Sequence, residues 1–212
     1  AQVIEGNERV IRPRLADARF FFETDKQSTL ASRMEPLKKI VFQDKLGSVS
    51  DKSGRVAVLA KAIATELGAD PALCERAALL SKCDLITNMV GEFADLQGLM
   101  GSYYAKHDGE PDEVSQALHE QYLPRFAGDH LPESTTGAIL AIADKLDTMV
   151  GLFGIGQPPT GSKDPFALRR SAIGILRILV EKELDLNIQK AIDASIESHE
   201  NTGFQADTAN LV

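Results

Sequence analysis

The stretch STTGAILAIADKLDTMVGLF, residues 134–153, decides the fold. Ala138, Ile142, Leu146 and Val150 recur every four residues, and Ile139, Ala143 and Met149 widen the same face. Apolar residues at that spacing line one side of an α-helix, and so broad a stripe predicts a central, buried one. Working outward, residues 54–67 carry Val56, Leu59, Ala60, Ile63, Ala64 and Leu67 at helical spacing. Gly68 then supplies a stop that tolerates left-handed geometry. Asp70-Pro71 opens a further helix to about Thr87, because the carboxylate accepts an orphan N–H and proline fits the first turn. Residues 114–126 predict another, through Val114, Leu118, Tyr122 and Phe126. Asp164-Pro165 caps a helix over 165–182, apolar on most sides except at Arg169, Arg170 and Arg177. Residues 14–24 and 29–42 predict two more, split near Asp25. Loops are expected at 106–113, 127–133 and 154–164, and a frayed polar end at 201–212. No alternating apolar–polar run is bounded by hairpin turns, so the fold class is all-α.

The 212 residues hold 23 Lys/Arg against 31 Asp/Glu, a formal net charge of -8. That balance argues against an unselective nucleic-acid binder. It is unevenly spread: residues 1–60 carry +3, 61–159 carry -9, 160–182 carry +3 and 183–212 carry -5. Two basic stretches thus flank an acidic middle. Ordinary surface variation gives such a pattern, and so does a pair of stretches that meet and face a polyanion. A hydrophobic content of 43% suits a packed core rather than a disordered chain. No apolar run is long enough to span a membrane, and no signal pattern opens the chain, so a cytoplasmic protein is expected. Cys74 and Cys83 form no CxxC pair and are expected to be core thiols.

Most catalytic motifs are absent. There is no GxxxxGK[ST] phosphate loop, no HExxH and no GxSxG. Gly151, Gly154 and Gly156 follow a helix and read as its exit. His107 and His130 lie in expected loops and His199 in the expected tail. Asp144 and Asp147, at i and i+3 on the central helix, suit cation binding or acid–base work, and equally a solvated edge or pairing with lysine.

The order of segments resembles a metal-dependent phosphohydrolase domain of the HD type. In such domains histidines and aspartates from separate helices hold a divalent metal, which activates water against a phosphate ester. The matching segments here are DKSGRV (51–56), AALLSK (77–82) and ADK (143–145). Lys52 stands at the first histidine and Ser81-Lys82 at the His-Asp pair, with Asp84 two residues on, and only Asp144 is retained. An ammonium has no lone pair to give a metal. The expectation is a vestigial site of Lys52, Ser81, Lys82, Asp84 and Asp144 with no metal, the lysines neutralising Asp144 and Asp84.

A second resemblance covers nearly the whole chain. GNERVIRPRLADARFFFETD (6–25), FQDKLGSVSDKSGRV (42–56), AALLSKCDLITNMVGEFADLQGLMGSYYA (77–105), AIADKLDTMVGLFGIG (141–156) and GSKDPFALRRSAIGILRIL (161–179) are similar to the β subunit of bacterial heterotetrameric glycyl-tRNA synthetases. That family's β subunit contains an internal degenerate HD-type domain. The resemblance implies an N-terminal helical extension at 1–40, a degenerate HD-like helical domain at 41–200 and a frayed tail at 201–212. It also implies a fragment that supports glycyl-tRNA aminoacylation by scaffolding and by contacts to tRNA phosphates. ATP and Mg would belong to the α subunit, with no cofactor in this piece. The implied partners are that α subunit, glycine tRNA and the remaining β-subunit domains. The candidate phosphate contacts are Arg12, Arg14, Arg19, Arg55, Lys163, Arg169 and Arg170, with Arg9, Lys52 and Lys82 beside them. For each arginine the alternative is an intramolecular ion pair, such as Arg14 with Asp17 or Arg170 with Asp144. Phe20, Phe21 and Phe22 spread around a helix, so one or two should pack inward. The competing functional class is a working HD-type phosphohydrolase with unusual metal ligands.

Overall fold

The computed structural model describes residues 2–199 and 204. Its helices are α1 (Gln2–Asp25), α2 (Val49–Leu67), α3 (Pro71–Leu80), α4 (Asn88–Glu92), α5 (Leu99–His107), α6 (Asp112–Glu120), α7 (Thr135–Gly154), α8 (Leu168–Glu181) and α9 (Ile188–Glu197). A two-stranded antiparallel pair, β1 (Val41–Gln43) and β2 (Gly47–Ser48), precedes α2. The fold is all-α apart from this small hairpin, whose first strand overlaps the end of the helix expected at 29–42. The polar end at 201–212 lies outside the described residues except for Phe204.

Helix α7 is the axis of the molecule. Its residues Ala138 to Ala143 are all buried, and it packs against α2, α3, α6, α8 and α9. Its start is fixed twice. The Ser134 hydroxyl accepts from Gly137 N at 2.9 Å, and the buried Glu120 carboxylate accepts from the backbone N–H groups of Glu133 and Ser134. Gly137 is required because a Cβ there would stand 2.0 Å from Glu120 Oε2.

Helix α2 begins at a capping box. Asp51 N donates to Ser48 Oγ at 3.1 Å, while Ser48 N donates to the Asp51 carboxylate at 2.8 Å. Gly68 ends α2 in the left-handed region, with φ of 69°. Asp70 caps α3 by accepting from Ala72 N and Leu73 N. The end of α2 and the start of α3 follow the sequence reading.

Other boundaries differ from that reading: α2 begins at Val49 rather than near residue 54, and α3 ends at Leu80, with a separate 3-10 turn at Cys83–Ile86, rather than running to Thr87. The first helix extends back to Gln2. Residues 29–42 form 3-10 turns at Ala31–Arg33 and Pro36–Lys39 and then β1, because Pro36 has no N–H for a continuous α-helical ladder. Helix α6 stops at Glu120, short of Pro124. Asp164 does cap α8, but by accepting from Leu168 N at 2.8 Å and Arg169 N at 3.0 Å, so residues 165–167 turn outside the helix. Helices α5 and α9 lie outside the expected helices: α5 is short, whereas α9 carries Ile188, Ala191, Ile192 and Ile196 at helical spacing, a signal that reading passed over.

The join between α1 and the body rests on Asp25, which is buried. Its carboxylate accepts from Asn88 N at 2.9 Å, Met89 N at 3.0 Å and the Tyr104 hydroxyl at 2.9 Å. Phe22 stacks on Tyr104 with ring centroids 5.7 Å apart, whereas Phe20 is exposed. The rest of α1 leaves its apolar side uncovered: Val3, Ile4, Val10, Ile11 and Leu15 are each more than half exposed. Asp25→Ala would strand several buried donors, at a cost of about 2–4 kcal/mol. Urea unfolding of the variant should show a loss in that range; a change within about 0.5 kcal/mol would contradict this role for Asp25.

Candidate functional site

The ionic centre lies between α2, the end of α3 and α7. Lys52 is on α2 and its side chain is 6% exposed. Its ammonium lies 3.1 Å from Asp144 Oδ1 and 3.1 Å from Asp147 Oδ2, and donates to Thr148 Oγ1 at 2.7 Å. Helical spacing puts Arg55 one turn along α2, where its Nε donates to Asp147 Oδ1 at 2.8 Å and its Nη1 to the Leu46 carbonyl at 3.0 Å. Lys82 approaches from the end of α3. Its ammonium lies 3.3 Å from Asp144 Oδ2, donates to Gln121 Oε1 at 2.7 Å and sits over the Tyr122 ring at 4.3 Å. Lys145, next to Asp144 on α7, donates to the Leu123 carbonyl at 2.8 Å.

Three of the residues expected in a vestigial site therefore converge: Lys52, Lys82 and Asp144. The other two turn elsewhere. Asp84 is buried, but its carboxylate accepts from Gly98 N at 2.5 Å and Gly101 N at 3.1 Å, so it braces the start of α5. Ser81 donates its hydroxyl to the Ala78 carbonyl, and its own carbonyl accepts from Gln121. Asp147, Arg55 and His199 complete the cluster. His199 is buried against α7, its Nε2 3.4 Å from Asp147 Oδ1 and its Nδ1 2.7 Å from the Ser195 carbonyl. Its expected place in a tail was wrong. The signal for it was the spacing of Ile192, Ser195 and His199, which continues the buried face of α9 through the last turn.

The electrostatics follow from burial and from an excess of cations. Burial alone would raise the Asp144 pKa, but Lys52, Lys82 and Lys145 hold it well below the ordinary carboxylate range. Lys145 shows the cost of that crowding: desolvation, with Lys82 and Lys52 close by, lowers it to about 8 despite Asp144. His199 is lowered by desolvation against the opposing pull of Asp147, which favours the neutral ring. Asp84 is raised, chiefly by burial. Burial also raises Cys74 to about 11 and Cys83 to about 12, as suits inert core thiols.

This arrangement is poor ground for metal chemistry. The side chains that face Asp144 and Asp147 from the neighbouring elements include Lys52 and Lys82, whose ammonium groups have no lone pair for a cation and already occupy those carboxylate oxygens. A buried carboxylate pair held by Lys52, Arg55 and Lys82 suits tying α2 and α3 to α7.

The candidate phosphate contacts divide by exposure. Arg55 leaves that group, because its side chain is 10% exposed and engaged by Asp147. Arg12 is exposed and bridged to Glu8 at 3.0 Å, and Arg9 lies 4.0 Å from Glu5. Arg14 reaches Glu92 at 3.2 Å, not Asp17, and lies over Phe93. Arg19, Lys163 and Arg169 are exposed. Arg170 does not meet Asp144; it points its Nη1 at the Arg125 carbonyl, 3.5 Å away, and lines a cavity there.

Comparison with known proteins gives one consistent result. A family described as "Glycyl-tRNA synthetase beta subunit" matches residues 1–211. The glycine–tRNA ligase beta subunit of Marinobacter nauticus is 63% identical over 189 residues, covering 89% of this chain and 27% of the relative. That of Hahella chejuensis is 62% identical over 198 residues, covering 93% of this chain and 29% of the relative. That of Chromohalobacter salexigens is 58% identical over the same length, with the same coverage. The chain thus spans less than a third of the length of these curated relatives.

Two outcomes test the cluster. Asp147→Ala leaves Lys52 and Arg55 facing each other without their shared carboxylate, so urea unfolding should show a loss of about 3–5 kcal/mol. A loss below about 1 kcal/mol would mean the pairs contribute little. Lys145 should titrate at about 8 by NMR of its side-chain carbons. Its folded value lies below the ordinary 10.5, so the unfolded chain binds more protons between about pH 8 and 10.5. The stability of the parent relative to Lys145→Met should therefore rise with pH across that window. A difference independent of pH would contradict the shift.

Proposed function

Because this chain belongs to the glycyl-tRNA synthetase beta subunit family, we propose that it serves in a glycine–tRNA ligase as a non-catalytic, tRNA-facing scaffold. The single observation that carries the non-catalytic part is the pair of ammonium groups on Asp144, where a metal-dependent hydrolase needs neutral ligands. A working HD-type phosphohydrolase would have to displace both lysines and reverse their charge effect. On this reading the HD likeness is one of descent, with the organisation proposed as an extension at 1–40, an HD-like domain at 41–200 and a tail at 201–212. ATP and Mg chemistry belongs to the α subunit, in the cytoplasm. Among the described residues, no helix is long and apolar enough to cross a membrane.

Two features support contact with RNA and with the rest of the enzyme. Exposed Lys163 and Arg169 stand where the chain enters α8, and Arg9, Arg12, Arg14 and Arg19 lie along exposed α1. Cations in such positions neutralise phosphates without reading bases. The uncovered apolar residues of α1, and the outward row Ile173, Leu176 and Val180 on α8, suit packing against other β-subunit domains or the α subunit.

The test is made in the assembled ligase. Lys163→Ala with Arg169→Ala should weaken tRNA binding and lower the slope of log affinity against log salt by about 1–2. The KM for tRNA should rise while the KM for glycine stays level. Unchanged slope and KM would overturn the RNA-facing reading. Stoichiometric Mn, Fe or Mg in the purified chain, together with phosphatase activity, would overturn the non-catalytic one.

A further inference from the structure

A cavity of about 600 Å³ opens beside the ionic cluster, between α6, α7 and the start of α8. Small-molecule sites have volumes in this range. Arg125, Lys145 and Arg170 line it, together with the carboxylates of Asp95 and Asp144. Those carboxylates do not balance the local cations. Asp144 is already engaged by Lys52 and Lys82, and Asp147 behind it by Lys52 and Arg55. Arg125 is paired with Asp129 at 3.0 Å. Counting the wall (Arg125, Lys145 and Arg170 with Asp95 and Asp144) and the groups paired with it from behind (Lys52, Arg55 and Lys82 with Asp129 and Asp147), six cations stand against four carboxylates. Buried Asp84, even if ionised, leaves the sum positive. A chain of net charge -8 therefore holds a concave, locally cationic site.

The donors left at the wall suit an anion. Lys145 gives hydrogen bonds to the carbonyls of Leu123 and Gln121, which leaves one of its three N–H groups. Arg170 makes one hydrogen bond among the described residues, at 3.5 Å, and keeps the rest of its planar fork. Around them the wall mixes apolar surface from Leu99, Leu123 and Pro124 with the amide of Gln97. We propose that this cavity binds a nucleotide-sized phosphate ester, its phosphate held by Arg170 and Lys145. The bound phosphate neutralises the excess charge, and the amide and apolar wall take the attached ring. The chemistry is the same for a free mononucleotide and for one nucleotide of an RNA chain.

Calorimetric titration of AMP, inorganic phosphate and adenosine into the chain tests this. AMP should bind saturably and adenosine should not. Arg170→Ala and Lys145→Met should each weaken AMP about tenfold, as loss of one charge-assisted contact implies. Arg170 is exposed, so its variant keeps the fold, checked by thermal melting. Lys163→Ala with Arg169→Ala, whose positions lie off the cavity wall, should leave AMP affinity within about twofold. That separates this site from the RNA-facing surface, either of which can fail alone. Competition assigns the source: displacement of AMP by tRNA marks a nucleotide of RNA, and no displacement marks a free one. Adenosine binding as tightly as AMP, Arg170→Ala leaving AMP affinity unchanged, or no saturation up to about 10 mM would overturn the proposal.

Discussion

The ammonium of Lys52, 3.1 Å from a carboxylate oxygen of both Asp144 and Asp147, is the contact on which the rest of the structure depends. It crosses from α2 to α7, the two described helices with the most buried residues. Charges this deep persist only when each has partners, since moving an isolated ion out of water costs far more than a marginally stable fold can supply. Lys82, Arg55 and His199 bring α3, the β-hairpin turn at Leu46 and the end of α9 into the same network. The cluster thus gathers segments that lie far apart in the chain.

The same contact decides what the centre can do. Carboxylates from α7 and side chains from α2 and the end of α3 converge on one buried point. Because those side chains are ammonium and guanidinium groups, the convergence is a set of ion pairs. Buried pairs of this kind add less net stability than apolar packing, yet removing one partner is costly. An arrangement once reached is then held in place by the penalty for losing any single member. The neutralisation is also uneven, because Lys145 and Arg170 remain at the cavity wall with donors to offer. An acidic chain can thus hold cationic ground locally, which its net charge does not reveal.

Much of this was legible in the sequence. The four-residue rhythm of Ala138, Ile142, Leu146 and Val150 located the central helix to within one residue at either end. Gly68 and Asp70 marked a boundary because their physics is local: one tolerates a positive φ, the other accepts orphan N–H groups. The convergence of Lys52, Lys82 and Asp144 was expected from a resemblance, not from spacing. Other features depend on tertiary contact and had no local signal. Asp84 turns to Gly98 and Gly101, which only the fold brings near. Arg55 is spaced like any surface arginine and becomes interior because α7 presents Asp147 to it. The hairpin at 41–48 is too short for alternation to show, and its position is set by the cap of α2.

The ion pair of Lys52 with Asp144 is the link between α2 and α7 on which the rest depends. A double-mutant cycle of Lys52→Met and Asp144→Asn, read by urea unfolding, tests it most directly. The account predicts that the two changes together cost less than their sum, with a coupling of about 2 kcal/mol. Additive effects, within about 0.5 kcal/mol, would contradict it.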